Sequence, residues 1–453
     1  MLYRFLKFIV GYAVRQYFRE VQLHNEDLVP QKGPVIFLPN HRSGFMDPIV
    51  VAIFLKRNVH FLARGESFKN PLMAKLLGKL SVIPIYRKEY SPDEVHKNDE
   101  IFNYCFKLLE QNGALVIFPE GASQTKPVLL PLKTGAARIA LGAEAKSNFN
   151  LGVTLIPVGI NYTNPHHFQG KLFLNFGQPI LASDYKDEYS IDSFKAVNNL
   201  TKRVEDELKK RIVVVDESRW FDLTHKVEKI IQTDYARFGI GKNEEHIGWF
   251  IARKDIAAAI EYFSDEKKEI LESLELKVQQ YFSIIDLLNL KEGTLNPIRN
   301  KETSRLKFFT LLFYFIIGLP FFVIGFALHF LPYFFTNLLA KLVVKRSDFY
   351  GSIILVIGLL LFSINAFCMT WFIFKALQNG LLAIAFFLLL APVGIFTFQY
   401  YVGLKRWLYK MRLWIIGNRK TTLIKELSQQ RETLLASFKE AHEDYLNFEK
   451  RKR

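Results

Sequence analysis

His41 and Asp47 stand six positions apart in 40-NHRSGFMDP-48, directly after the apolar run 34-PVIFLP-39. A neutral imidazole can take a proton from an attacking hydroxyl. A carboxylate on its other nitrogen fixes the tautomer and stabilises the imidazolium that forms. A base of this kind contributes ~10²–10⁴-fold in rate. No Ser or Cys sits in a G-x-S-x-G-like setting, so the pair points to direct activation of a substrate hydroxyl, without a covalent intermediate. The competing reading is structural: Asp47-Pro48 opens and caps a helix through 48-PIVVAIFLKR-57. Taken alone, this spacing is more often a helix start than a catalytic pair.

Two further elements have chemical potential. In 118-FPEGASQ-124, Glu120 at a strand-to-loop turn can accept hydrogen bonds from substrate hydroxyls, and Gly121 lets backbone approach closely. The tetrapeptide by itself reads as an ordinary turn. The cationic element is Arg87 after 82-VIPIY-86, followed by Lys126, Lys133 and Arg138. A guanidinium grips a phosphate bidentately and a lysine supplies a point charge. Surface lysines are usually just solvated, which leaves Arg87 and Lys133 as the stronger candidates.

The elements that must position these residues are legible as apolar runs. Strands are expected at 34–38, 59–63, 82–86, 114–118, 153–160 and 171–176, with helical periodicity over 98–113 and 133–146. Continuous apolar strands separated by helices define an α/β fold, a mostly parallel sheet flanked by helices. Ligands bind such sheets outside the carboxyl ends of the strands. His41 and Asp47 follow the first strand, Arg64 and Glu66 the second, and Arg87 the third. Glu120 follows the fourth, and Asn161 with 165-PHH-167 the fifth. Five consecutive strand ends thus send ionisable or polar groups to one edge.

The rest of the chain is different in kind. Half of its 453 residues are hydrophobic and 42 are Phe, a high share for a purely soluble protein. The net charge of +16 suits nucleic acid, an anionic membrane or anionic substrates. Zinc-finger spacing and an aromatic RNA-binding signature are absent and the basic residues are spread out, so nucleic acid is a poor reading. No metal set is apparent. The two cysteines, Cys105 and Cys368, imply no disulfide framework.

Residues 1–25 carry a basic helical stretch with Leu2, Phe5, Leu6, Ile9, Val10, Ala13 and Tyr17 on one face. That describes either an interfacial membrane helix or a helix packed on its own domain. Polar helices without motifs follow over 190–304. Within 305–403, apolar runs at about 306–335, 349–374 and 380–402 each exceed the ~20 residues that cross a bilayer. Basic residues flank them at Lys301, Arg305 and Lys307, at Lys341, Lys345 and Arg346, and at Lys405, Arg406, Lys410 and Arg412. To place all three clusters on the cytoplasmic face, the first run must enter and return on one side, bending at Pro320 behind Gly318. Over 404–453 an apolar helical stripe reads equally well as a coiled coil or as a helix docked on its own protein.

As a set, four blocks resemble the glycerophosphate acyltransferases, the PlsC-like family. They are 40-NHRSGFMDP-48, 64-RGESFKNPLMAKLLGKLSVIPIYR-87, 118-FPEGASQ-124 with 131-PLKTGAARIA-140, and 153-VTLIPVGINY-162. The resemblance implies an acyltransferase domain over 26–189. It implies His41 as general base and Asp47 as its orienting partner, with Arg87, Glu120 and Gly121 at the phosphate-bearing acceptor. Two departures matter. Five residues separate the histidine and aspartate instead of the usual four, a spacing similar to yeast-type glycerol-3-phosphate/dihydroxyacetone phosphate acyltransferases. Ser123 stands where the family pattern has an arginine, which passes the phosphate contact to Ser123, Lys126 and Lys133 beside Arg87.

The implied reaction moves an acyl chain from acyl-CoA or acyl-carrier protein to a hydroxyl of glycerol 3-phosphate. The donor is a co-substrate, and no further cofactor is implied. The same motifs serve 1-acylglycerol 3-phosphate (lysophosphatidate), with phosphatidic acid as product. A non-catalytic lipid-binding scaffold would keep the fold without needing His41, Asp47 and Glu120 together. A transporter would need more ionisable groups in the apolar runs than His329. Membrane lipid is the expected partner, with the catalytic domain on the cytoplasmic face.

Overall fold

The computed structural model describes residues 2–87, 91–166, 168–215, 218–241, 246–295, 305–419 and 421–452. Two compact units are present. One comprises Met1–Val214 with Arg346–Leu355, the other Val215–Lys345 with Val356–Arg453.

The first unit is built on an eight-stranded sheet. Its strands are β1 (Phe18–His24), β2 (Val35–Pro39), β3 (His60–Arg64), β4 (Val82–Ile85), β5 (Ala114–Val116), β6 (Thr154–Tyr162), β7 (Gly170–Phe176) and β8 (Ile180–Leu181). They lie in the order β1-β7-β6-β2-β5-β3-β4, with β8 added to β6. All pairings are parallel except β6 with β7 and β6 with β8. The mostly parallel α/β sheet expected from the apolar runs is therefore present. β1 departs from expectation, because a helix was expected over residues 1–25. The first helix, α1 (Leu2–Tyr17), stops earlier, and the alternating Val21 and Leu23 pair with β7 instead. A strand there occupies the backbone edge of β7.

Central strand β2 shows why both faces must be covered. Val35 and Phe37 enter one core layer and Ile36 and Leu38 the other, as the two-residue period of a strand dictates. The first layer is closed by Val14 and Tyr17 of α1 and by Val50, Val51 and Phe54 of α2 (Met46–Phe54). Thus the C-terminal half of α1 packs on its own domain, while Phe8 and Tyr12 remain exposed. Helix α3 (Pro71–Lys79) connects β3 to β4. The second layer receives α4 (Asn98–Glu110), α5 (Gly135–Lys146) and, beyond the short α6 (Lys186–Ile191), α7 (Ser193–Arg211). Asp192 caps α7 by accepting from Phe194 N and Lys195 N, both at 3.0 Å. Because Ala196, Val197, Leu200 and Val204 are buried in this layer, α7 belongs to the sheet unit.

The second unit is helical: α8 (Phe221–Ile231), α9 (Gly248–Glu266), α10 (Lys268–Leu287), α11 (Arg305–Val343), α12 (Tyr350–Leu377), α13 (Gly380–Arg419) and α14 (Thr421–Lys452). The opening residues of α12, to Leu355, belong to the first unit. Among the described residues three stretches are long and apolar enough to cross a membrane: Thr310–Val343, Ser347–Leu377 and Gly380–Ile416. The turn-back expected at Pro320 is absent, since α11 runs unbroken through Pro320 and Pro332. Tyr400 of α13 donates to the Phe315 carbonyl of α11 at 2.6 Å, tying the two helices together. Of the two readings of the tail, docking is the one observed. Leu427, Leu434, Leu435 and Phe438 of α14 are buried, and Arg431 reaches Glu292 and Asp234.

Candidate active site

The question posed by Asp47-Pro48 is answered by where the carboxylate points. α2 does begin here, with Pro48 tolerated in its first turn, but Phe45 precedes it without any side-chain cap. The Asp47 carboxylate is instead shared among three donors. Oδ2 lies 2.9 Å from His41 Nδ1 and accepts from Ser43 N at 2.7 Å. Oδ1 accepts from the Tyr162 hydroxyl at 2.7 Å. Asp47 is fully buried, whereas the His41 side chain keeps 16% of its surface exposed. Burial, with the Asp47 charge beside it, pushes the Tyr162 hydroxyl well above its ordinary value, so it stays protonated and donates. With Nδ1 engaged, Nε2 is the ring nitrogen left for a reacting hydroxyl.

His41 is held from other directions as well. Its ring stacks on Phe118 with centroids 4.2 Å apart. Its backbone N–H donates to Glu120 Oε1 at 2.7 Å, and its carbonyl accepts from Gln124 N at 3.1 Å. Glu120 Oε2 accepts from Leu130 N at 2.9 Å, tying the loop after Gly121 back to its own start. Glu120 is thus a bracket between two loops rather than a group directed at solvent. Burial raises its carboxyl to about 7, against the opposing pull of those two backbone donors.

Gly121 adopts φ +70°, and a Cβ there would meet the Arg87 guanidinium at 2.7 Å. Its carbonyl accepts from Arg87 Nη2 and, at 3.3 Å, from Arg64 Nη2. Two guanidiniums therefore converge on one carbonyl beside the Glu120 turn, which makes that spot electropositive. Lys133 is tied to the same turn through its backbone, donating to Pro119 O at 2.8 Å, and its side chain is exposed. The Lys126 side chain is exposed too. Ser123 points its hydroxyl at the Asp348 carboxylate, 2.5 Å away.

The structure thus brings together His41, Asp47, Glu120, Gly121 and Arg87. It leaves Lys126 and Lys133 at the rim. Asn161 serves the fold, its amide donating to Arg211 O at 2.9 Å. His167 lies outside the described residues. Three participants were not singled out from sequence. Asn40 cross-links β2 to β6, accepting from Ile160 N at 2.6 Å and donating to Ile160 O at 3.2 Å. Tyr162 ends β6, the strand next to β2, so strand adjacency was the signal that would have found it. Asp348 carried no such signal.

A buried carboxylate, a partly exposed imidazole and a neighbouring cationic turn, all at the carboxyl ends of strands, form an arrangement that can draw a proton from a hydroxyl beside an anionic group. The family model Acyltransferase matches residues 20–161. The chain is 35% identical to Glycerol-3-phosphate O-acyltransferase 2 of Saccharomyces cerevisiae over 112 residues, 24% of this chain and 15% of that protein. It is 24% identical to Glycerol-3-phosphate O-acyltransferase 1 of the same yeast over 264 residues, 40% of this chain and 35% of that protein. Against the 1-acyl-sn-glycerol-3-phosphate acyltransferase of Bacillus subtilis it is 26% identical over 198 residues, 42% of this chain and 89% of that protein. The chain therefore spans well under half the length of these yeast relatives.

Proposed function

We propose that this protein is a membrane-bound O-acyltransferase that moves an acyl chain from a thioester donor to a hydroxyl of glycerol 3-phosphate. The observation that carries the proposal is the relay Tyr162–Asp47–His41, with Nδ1 bound and the ring partly exposed. The acceptor hydroxyl attacks the thioester carbonyl while His41 Nε2 takes its proton. Asp47 stabilises the imidazolium, and the tetrahedral intermediate collapses as the proton passes to the departing thiolate. The ester is formed, the C–S bond is broken, and His41 ends neutral. Arg87, with Lys126 and Lys133 at the rim, supplies the cationic side on which an acceptor phosphate rests, while the Ser123 hydroxyl, expected there too, is engaged by Asp348. The donor is acyl-CoA or acyl-carrier protein. The three long apolar helices fit a protein whose product stays in the bilayer. The basic residues Lys301, Arg305 and Lys307 just before the first of them support a cytoplasmic face for the sheet unit.

A second acceptor, 1-acylglycerol 3-phosphate, is favoured by one observation: the Bacillus relative named for that substrate is matched over 89% of its length. The test uses membranes containing the protein and a labelled acyl donor. Glycerol 3-phosphate, dihydroxyacetone phosphate and 1-acylglycerol 3-phosphate are offered separately, with His41→Ala in parallel. Transfer to one acceptor, lost in the variant, names the substrate. Absence of His41-dependent transfer to all three overturns the proposal.

A further inference from the structure

The residues between the first two apolar helices do not behave as a connecting loop. Arg346–Leu355 belong to the sheet unit although more than a hundred residues separate them from its main body. The Asp348 carbonyl accepts from Ser43 Oγ at 3.2 Å and from Gly44 N at 2.9 Å. Its carboxylate accepts from the Ser123 hydroxyl and from Arg346 Nε and Nη2, at 3.1 and 2.7 Å. Arg346 Nη2 also donates to Ser123 O at 3.3 Å, and Thr125 Oγ1 lies 3.2 Å from Ser347 Oγ. The seat is shaped for this segment. A Cβ on Gly44 would meet the Phe349 ring at 2.4 Å, and one on Gly351 would meet Pro165 O at 2.2 Å.

Both halves of Asp348 lead to His41. Through its carbonyl it fixes Ser43–Gly44, and Ser43 N donates to the same Asp47 oxygen that holds His41 Nδ1. Through its carboxylate it fixes Ser123, whose peptide group continues into Gln124 N, the donor to the His41 carbonyl. Asp348 is itself only 4% exposed. A buried carboxylate is retained at low cost only when it is fully bonded, and here its donors are Ser123 of the site loop and Arg346.

We infer that Asp348 is a positioning residue for the acyl-transfer reaction, and that Arg346–Ser352 are an integral part of the active site, supplied from the membrane region. The inference rests on the acyltransferase reading above. Asp348 does not touch the reacting atoms. It sets the 41–47 loop and the 121–125 loop at the spacing at which His41 is aligned. Misplacement of a catalytic group by about 1 Å costs on the order of 10²-fold.

The test compares Asp348→Ala, Ser123→Ala, their double variant and Gly44→Ala with and without Phe349→Ala, in full-length protein in membranes. Asp348→Ala is expected to lower kcat roughly 10- to 100-fold while KM for the acceptor moves less than about threefold. The double variant is expected to be little worse than Asp348→Ala alone, since both remove one bond. Gly44→Ala should lose activity and Phe349→Ala should restore it, because the clash is with that ring. Wild-type kcat in Asp348→Ala, or no rescue of Gly44→Ala by Phe349→Ala, overturns the inference. A second readout does not require turnover: Thr125→Cys with Ser347→Cys is expected to cross-link under mild oxidation, detected as a joined peptide by mass spectrometry. Failure to cross-link overturns the inference by itself. If wild-type protein shows no His41-dependent transfer yet cross-links, the acyltransferase reading has failed and the docked segment stands.

Discussion

Two buried polar clusters occupy the two units, and they are closed to different degrees. Arg431 of α14 donates to Glu292 Oε1 at 2.6 Å, Asp234 Oδ2 at 2.9 Å, Thr233 Oγ1 at 2.8 Å and Ile230 O at 2.7 Å. Its side chain is 1% exposed and both acids are 4% exposed. Burial still raises the Glu292 carboxyl above its ordinary value, although Arg431 pulls the other way. At the sheet edge the carboxylate is just as buried, but its histidine partner reaches the surface. A network sealed on every side can only hold elements together. A network with one member at the surface can also exchange a proton.

That contrast is broken most severely at its open end. His41→Ala should lower acyl transfer by ~10²–10⁴-fold while leaving the thermal midpoint nearly unchanged, as transfer assays and melting curves on the same preparation would show. Equal loss of stability would mean that the sheet-edge cluster is structural after all. Next in size is Arg431→Ala, which strands Asp234 and Glu292 without their cation. Breaking a buried ion pair this way costs ~3–5 kcal/mol. Denaturant titration of the detergent-solubilised protein should reveal it, with specific activity of the surviving folded fraction unchanged.

Tyr162→Phe sharpens the comparison by deleting one hydroxyl from the open cluster. Asp47 Oδ1 loses its donor, and kcat should fall about tenfold, the kinetic equivalent of one bond to a charged group. An unchanged kcat would remove Tyr162 from the relay. The smallest effect belongs to Glu120. Its folded value of about 7 lies above the ordinary 4.5, so the folded protein binds this proton more tightly than the unfolded chain between those limits. Stability from this group is fully present below about 4.5 and is lost as pH rises through about 7. Melting midpoints measured across that window should therefore decline more steeply in wild type than in Glu120→Gln, and parallel curves would refute the assignment.

What the sequence revealed follows from range. Strands β2 to β7 fall where the apolar runs lie, because burial on both faces forces continuous hydrophobic stretches. His41, Asp47, Glu120 and Arg87 could be placed at one edge because parallel strands all present their carboxyl ends there. The ends of α1 and α11 were less legible. Whether residues 18–24 continue a helix depends on the vacant edge of β7, and a proline in an apolar run does not itself say whether the helix turns back there or, as α11 does, runs on. Asp348 lay beyond reach for the same reason. Its bond to Ser123 spans 225 positions, and nothing about 345-KRSDFYG-351 distinguishes it from a charged cap on a membrane helix.

The late arrival of Arg346–Leu355 also imposes an order on synthesis. The ribosome finishes residues 1–214 first, and the segment that completes their unit emerges only after α11 has been made. At ~5–20 residues per second the interval is on the order of ten seconds. During that time the sheet unit exists without its clamp on the His41 loop. Until Arg346–Leu355 are made, Ser43 and Gly44 lack the carbonyl they bond to, so a chain arrested before that point holds the sheet without one wall of its candidate site.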